Sequence, residues 1–129
     1  MDILKAFNNH FIEFVDDIAN YFNDSLDIKT TANALKTMRK ANPKLIIRIW
    51  NEHIVSKYAS QIDVGDISFF LEKDYNSDLV EMDNNNGVLE AIDKLRQPIQ
   101  SMSHDDQQKS MKYIQNLTKL CKLYYLNTN

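Results

Sequence analysis

The chain has 129 residues, of which only two are glycine and two are proline. Dinucleotide-binding fingerprints and phosphate-binding loops need closely spaced glycines, so the wide separation of Gly65 and Gly87 excludes both kinds of site. The shortage of turn residues argues against a mainly β fold, and the formal net charge of −3 weakens the case for a dedicated nucleic-acid-binding protein.

Residues 2–22 have the periodicity of an amphipathic helix. Their apolar side chains recur at spacings of three and four residues, which places them on one stripe of a helix. They are Ile3, Leu4, Phe7, Phe11, Phe14, Val15, Ile18 and Phe22. The sequence therefore predicts a first helix that buries this stripe.

Two further helices are predicted before residue 61. A weaker amphipathic pattern extends from Leu26 to Ala41. Asn42 followed by Pro43 is typical of a helix start, because the asparagine can cap the helix and proline suits its first position. The third helix, from about Pro43 to Ser60, carries apolar residues on more than one face, so we expect it to be the central helix.

Residues 61–87 are typical of a structured acidic loop. A short helix is predicted inside it, from about Asp66 to Leu71, because Asp66 can serve as its N-cap. The loop is bracketed by the two glycines of the chain, Gly65 and Gly87.

The last part of the chain predicts two helices. One runs from Gly87 to about Ser101, with a kink or a stop at Pro98. Ser103, followed three residues later by Asp106, resembles a capping box that opens the final helix. We therefore predict an all-α fold, a single domain over residues 1–129 that forms a compact bundle of about five helices with one long acidic loop.

The acidic loop invites a comparison with calcium-binding loops. Asp74, Asn76 and Asp78 have the spacing of the first three ligands of an EF-hand, but Leu79 stands where that motif needs glycine and Asn85 where it needs glutamate. The pattern favours a solvated acidic loop, and no metal or other cofactor is predicted.

Histidine and cysteine offer little catalytic pattern. The three histidines lack the spacing of a zinc site, and Cys121 is the only cysteine, which excludes an intramolecular disulfide. A Cys121–His53 nucleophile–base pair, or acid–base use of Glu52 with His53, is the enzymatic alternative. A lone cysteine on an apolar helical stripe is more often a core residue, so we predict no catalytic residues.

Charge is divided into zones along the chain. Residues 1–27 carry a net −5, residues 28–51 carry +6 and residues 60–93 carry −8. The basic zone consists of Lys29, Lys36, Arg39, Lys40, Lys44 and Arg48. It predicts either a basic helix-turn-helix surface for nucleic acid or an acidic partner, or compensation of the acidic zones within the fold or across subunits.

An aromatic pair lies next to the acidic clusters. Phe69 and Phe70 are predicted either to anchor the loop under the third helix or, with Tyr75, to contact a protein partner.

The segment that starts at Asn42, Pro43 and Lys44 resembles a family of small α-helical proteins encoded by large DNA viruses of algae and protists. The resemblance rests on that helix start and on four later features of the sequence. These are Trp50, His53, the pair Phe69 and Phe70, and the run Lys73, Asp74 and Tyr75. It implies a viral protein, and no activity is assigned to that family.

These observations favour a non-enzymatic viral protein that acts through protein–protein contacts, most simply a virion or capsid-associated structural component. The alternative is a nucleic-acid-associated accessory protein that uses Lys36, Arg39, Lys40, Lys44 and Arg48. Partners would be virion proteins or further copies of the chain. The start of the sequence lacks a secretion signal and no segment is apolar enough for a membrane span, so we expect the host-cell cytoplasm or the virion.

Overall fold

The computed structural model describes residues 2–72 and 87–128, and all of its regular structure is helical. In chain order the helices are α1 (Ile3–Tyr21), α2 (Leu26–Ala41), α3 (Leu45–Trp50), a π-helical segment (Asn51–Val55), α4 (Ser56–Asp63), α5 (Ser68–Glu72), α6 (Val88–Gln100) and α7 (His104–Thr128). The predicted all-α fold is confirmed.

Helix α1 buries the stripe that its sequence predicts. Asp2 caps it, since the Asp2 side chain accepts a hydrogen bond from the Lys5 backbone N–H at 3.0 Å. The residues at the centre of the stripe are almost completely buried, namely Phe7, Phe11, Phe14, Val15 and Ile18. They face α7, along which α1 packs, and also α2 and α3.

The predicted third helix is central. Five of the six residues of α3 are buried, and α3 contacts α1, α2, α6 and α7. The ring of Trp50 meets Phe7 and Phe11 edge-on at centroid distances of 6.3 and 6.2 Å. Its indole N–H donates to Thr118 Oγ1 at 3.2 Å, which satisfies a polar group inside the core.

This helix is neither regular nor as short as the sequence indicates. The π-helical segment follows α3 directly, and α4 ends at Asp63, beyond the predicted end at Ser60. The non-helical backbone of Tyr58, with φ −130° and ψ 18°, kinks α4. A π-helical turn accommodates an extra residue. The consecutive residues His53, Ile54 and Val55 are all buried there, whereas a regular single stripe would turn one of them outward.

The helix ends follow local chemistry, with two departures from the predictions. Helix α3 begins at Leu45, two residues after Pro43, although the Asn42 side chain still accepts a hydrogen bond from the Lys44 N–H at 3.3 Å. Pro98 does not stop α6, which continues to Gln100, because proline near the end of a helix removes only one late hydrogen bond.

Both glycines have positive φ angles. Gly65, at +74°, follows the end of α4, and Gly87, at +83°, precedes α6. A left-handed backbone is the conformation that glycine adopts without steric cost, so both residues fit their positions at helix ends.

The buried apolar residues of both described ranges form one cluster, to which α1, α3, α6 and α7 all contribute. Within residues 2–72 and 87–128, no helix has the length and apolar character needed to cross a membrane.

Candidate functional site

The strongest candidate site is the set Lys36, Arg39, Lys40, Lys44 and Arg48, which we call the basic surface. The first three lie on the last two turns of α2, Lys44 lies immediately before α3, and Arg48 lies on α3 one turn later. The short connection between α2 and α3 therefore brings cationic residues from two helices together.

Two members of the basic surface are engaged by α1. Lys36 Nζ lies 2.7 Å from Asp16 Oδ1, in an ion pair whose side chains are both partly exposed. Arg39 donates from its guanidinium to Asn9 Oδ1. The expected compensation of the acidic first zone by the basic zone thus occurs at Lys36.

The remaining three members have no such partner. Lys40, Lys44 and Arg48 are exposed. Among the described residues, no carboxylate lies within ion-pair distance of them. Three exposed positive charges that form no ion pair within the described residues can meet a negatively charged partner.

The helix-turn-helix interpretation meets a geometric difficulty at α3. A recognition helix enters the major groove and reads bases with an exposed face. Leu45, Ile46, Ile47, Ile49 and Trp50 are all buried in the protein. Arg48 alone projects from α3 into solvent, so this helix cannot be inserted into a groove without dismantling the core.

A groove adjoins the basic surface where the start of α1 meets the end of α2. It has a volume of about 350 Å³, and its walls include Asp2, Leu4, Lys5, Asn8, Arg39, Lys40 and Pro43. Lys5 and Asp2 come from outside the predicted basic zone, so the fold adds one positive and one negative charge that the linear pattern does not group with the others. We call this feature the α1–α2 groove.

Asn8 holds the two sides of the α1–α2 groove together. Its side chain is only 3% exposed and its Nδ2 donates to the Pro43 carbonyl oxygen at 2.9 Å. Its Oδ1 is buried, and no group among the described residues donates a hydrogen bond to it. The Pro43 oxygen fixes this orientation of the amide, because the reversed amide would bring two acceptor oxygens together.

Phe69 and Phe70, two of the three predicted partner-contacting aromatics, lie in the core. Phe69 is 8% exposed and Phe70 is 1% exposed, and Phe69 stacks on Tyr58 at a centroid distance of 5.0 Å. In this conformation neither ring can contact a partner, which favours the anchoring alternative. Tyr75, the third residue of that prediction, lies outside the described residues, as do Asp74, Asn76 and Asp78 of the calcium comparison.

Cys121 and His53 do not form the nucleophile–base pair of the enzymatic alternative. The Cys121 thiol lies 3.7 Å from the Ile47 carbonyl oxygen and 3.8 Å from Asn51 Oδ1, whereas neither ring nitrogen of His53 has a hydrogen-bond partner in the part of the chain that the structure describes. Burial raises the pKa of the Cys121 thiol to about 12, with Lys122 opposing the shift. The thiol is therefore protonated at neutral pH and a poor nucleophile.

His53 lies in the π-helical segment and is buried. Its Nε2 lies 4.0 Å from Glu52 Oε2. Among the described residues, no group of three or more His, Cys, Asp or Glu is arranged to hold a metal ion.

A polar cluster between α1 and α7 supplies hydrogen bonds to acidic side chains of residues 1–27. Tyr113 donates its hydroxyl to Asp17 Oδ2 at 2.5 Å and lies 3.4 Å from Glu13 Oε1. Burial, followed by the hydrogen bond to Asp17, raises the pKa of Tyr113. The acidic face of α1 is thus tied to α7 as well as to Lys36.

Sequence reasoning did not identify Lys5 or Asn8 as parts of a site. The position of Asn8 could have been noticed in the sequence. Asn8 is polar, yet it lies four positions after Leu4 and three before Phe11 and so falls on the apolar stripe. A polar residue in a buried stripe needs a specific partner. Nothing local indicates that this partner is the carbonyl of Pro43.

In comparisons with protein-family models, with curated proteins and with solved structures, nothing matches this chain.

Proposed function

We propose that this protein is a non-enzymatic binding protein that acts through protein–protein contacts, with its basic surface docked on an acidic face of the partner. The observation that carries the proposal is the exposure of Lys40, Lys44 and Arg48, none of which has a carboxylate within ion-pair distance in the described part of the chain. Complementary charge accelerates encounter and fixes the orientation of two proteins.

A protein partner fits this surface better than nucleic acid does. Tight nucleic-acid binding draws on many phosphate contacts, about 6 to 10 in a typical complex. Here Lys36 is engaged by Asp16, Arg39 is engaged by Asn9, and the whole chain carries a net charge of −3. The buried face of α3 also removes the recognition helix on which base reading would depend.

The proposal also names the class of partner and the compartment in which the contact is made. The resemblance of the segment around Asn42 to proteins of large DNA viruses supports a partner among virion or capsid proteins, with the host-cell cytoplasm as the site of assembly. Mass spectrometry of purified particles is expected to detect the chain. Its absence from particles would contradict the virion assignment and leave the charge-based contact to be judged separately.

The binding test compares labelled polyglutamate with labelled single-stranded DNA by fluorescence anisotropy at low salt. We expect polyglutamate to bind, the affinity to fall as salt is added, and binding to be lost in the triple variant Lys40→Glu, Lys44→Glu and Arg48→Glu. The matched control changes Lys109, Lys112 and Lys119 of α7 to glutamate, which alters the net charge equally at another exposed face.

Each outcome of this test has a defined meaning. If both triple variants lose binding equally, net charge rather than the basic surface is responsible and the site is wrong. Tighter binding of DNA than of polyglutamate would favour the nucleic-acid alternative, and no binding of either polyanion would contradict an anionic partner. Light scattering of the purified protein shows whether a second copy, through its own acidic zone, is the partner.

A further inference from the structure

The connection between α1 and α2 carries an exposed surface that is both apolar and acidic. Tyr21, the last residue of α1, is 48% exposed, and Leu26, the first residue of α2, is 76% exposed. The ring centroid of Tyr21 lies 4.7 Å from that of Phe22, which is half-buried. Asp24 and Asp27 are exposed in the same segment. We call these five residues the α1–α2 corner.

The exposure of the α1–α2 corner contrasts with the burial of the apolar stripe that leads to it. In α1 the stripe from Phe7 to Ile18 is almost completely buried, whereas Tyr21 and Leu26 expose large apolar side chains on either side of the connection. Aromatic and apolar residues surrounded by a polar rim are the composition of a protein–protein interface. The α1–α2 corner therefore has the makeup of a docking surface.

The negative charge of the α1–α2 corner is not neutralised by ion pairs. Among the described residues, no cation lies within ion-pair distance of Asp24 or Asp27. Asp17, one turn before Tyr21 on α1, adds a third exposed carboxylate, and Lys29 is the exposed cation that follows on α2. Three carboxylates against one ammonium group leave this end of α1 and α2 negative.

Helices α6 and α7, which adjoin the α1–α2 corner, carry balanced charges there. Lys94 and Arg96 of α6 line a cavity with Asp27, but each has a carboxylate of its own helix nearby. Lys94 lies 3.9 Å from Glu90, and Arg96 lies 3.4 Å from Asp93. Helix α7 contributes one acidic and one basic residue to the cavity beside the end of α1. The corner thus keeps its negative charge within the described part of the fold.

The α1–α2 corner and the basic surface lie at opposite ends of α2. The corner surrounds the first residue of this helix, and Lys40 lies one residue before its end. The 16 residues of α2 span about 24 Å, so the two surfaces of one chain cannot meet. Ala41 and Pro43, exposed between Lys40 and Lys44, give the basic surface apolar groups of its own. The two surfaces are therefore complementary, but only between different copies of the chain.

We infer that the acidic partner of the basic surface is a second copy of this chain, which docks through its α1–α2 corner. The carboxylates of the corner meet Lys40 and Lys44 of the next copy, and Leu26 packs on the apolar groups between those lysines. This inference rests on the proposed function and adds the identity of the partner. Because the two surfaces differ, every added copy offers a further corner, and the copies join head to tail into a ring or an open chain.

Sedimentation velocity of the purified protein measures this association. At low salt we expect the average mass to rise with concentration beyond that of a dimer, and to return to that of the monomer as salt is added. A dimer that does not grow would contradict head-to-tail joining. A monomer at every concentration would overturn the inference but spare the proposed function if polyglutamate still binds the basic surface, whereas failure of both assays would overturn both.

Two charge-reversal variants locate the contact when they are mixed. Lys40→Glu with Lys44→Glu makes both surfaces acidic, and Asp24→Lys with Asp27→Lys makes both basic. We expect each variant alone to stay monomeric and an equimolar mixture to associate, because every mixed contact then joins opposite charges. A mixture that stays monomeric, although circular dichroism shows both variants to be folded, would place the contact elsewhere.

The matched control reverses two charges on α7. Lys112→Glu with Lys119→Glu changes the net charge as much as the reversal on the basic surface does, at exposed positions outside both surfaces. We expect it to associate like the wild-type protein. Loss of association in this control would show that net charge, and not the α1–α2 corner, sets the mass.

Leu26→Gln tests the apolar part of the contact with every charge kept. We expect association to weaken at least about tenfold, the effect of losing one leucine side chain that becomes buried in the contact. Polyglutamate affinity should not change, because the basic surface is untouched. Association as strong as that of the wild-type protein would show that Leu26 stays exposed, which contradicts docking through the α1–α2 corner.

Discussion

At the scale of single residues, the core of this protein contains polar groups whose partners differ in quality. The Trp50 indole N–H is paired with Thr118 across a long stretch of chain, and the Asn8 amide is paired on one side only. His53 is buried, and within residues 2–72 and 87–128 neither of its ring nitrogens has a hydrogen-bond partner. Buried polar groups normally have a hydrogen-bond partner. Where one lacks a partner, a ligand or a conformational change that supplies it gains the most free energy.

Cys121 gives a prediction about pH. The folded thiol has a pKa of about 12, whereas the ordinary value is 9.0. Above pH 9 the unfolded chain loses this proton while the folded protein keeps it, so the thiol's contribution lowers the free energy of unfolding as pH rises from 9 towards 12. The measurement is urea denaturation at several pH values in this window.

The matched variant for that measurement is Cys121→Ala, which has no thiol to titrate. We expect the stability of the wild-type protein to fall more steeply with pH than that of Cys121→Ala, whatever the difference between them at neutral pH. Parallel pH profiles would show that Cys121 ionises equally in both states and that its thiol is accessible.

At the scale of helices, the sequence predicts where a helix starts better than it predicts whether the helix is regular and where it ends. Ser103 opens α7 as expected: its hydroxyl accepts the Asp106 N–H at 3.2 Å and donates to Asp106 Oδ2 at 2.9 Å. Asp66 likewise accepts the Ser68 hydroxyl at 2.5 Å and the Ser68 N–H at 3.0 Å, and these two hydrogen bonds lower the pKa of Asp66. Each of these caps involves residues within one turn, which is why the linear pattern shows them.

The cap of α7 is testable by substitution. Ser103→Ala removes the acceptor of the Asp106 N–H and is expected to lower the free energy of unfolding by about 1 kcal/mol. Ser103→Asn keeps a capping acceptor and should remain within about 0.5 kcal/mol of the wild-type protein. Chemical denaturation followed by circular dichroism measures both, and equal stability of all three proteins would mean that the cap does not contribute.

The π-helical segment is a feature of these helices that the sequence does not predict. The residues from Leu45 to Tyr58 are compatible with a regular α-helix by periodicity alone. The consecutive residues His53, Ile54 and Val55 of the π turn are all buried, and the segment contacts the neighbouring helix α7. Whether this turn is α-helical or π-helical depends on which surfaces the neighbouring helices present.

At the scale of the whole molecule, residues from both described ranges share one apolar cluster, in which Trp50 occupies a central position. If the single-domain prediction is right, helix content and the surroundings of this only tryptophan should be lost together. We expect urea transitions followed by far-ultraviolet circular dichroism and by Trp50 fluorescence to coincide. Separate midpoints would show that the chain unfolds as more than one unit.

Which residues of the charge zones are paired is also decided by the whole fold. The sequence shows six positive charges between residues 28 and 51 but not their partners. The fold pairs Lys36 with Asp16, ties Asp17 to Tyr113, and leaves Lys40 exposed next to a groove that Lys5 shares. Neutralised and available cations are indistinguishable in the linear pattern because the distance between two side chains depends on how helices pack.

The sequence by itself determined the helical class, the apolar stripe of α1, the central position of α3 and the caps at Ser103 and Asp66. All of these arise from interactions within a few turns or from the amount of apolar surface on one helix. The tertiary structure decided that Phe69 and Phe70 are buried and that Asn8 meets Pro43 while its oxygen stays unpaired. These outcomes depend on contacts between residues far apart in the chain, which helix packing sets and local sequence does not encode.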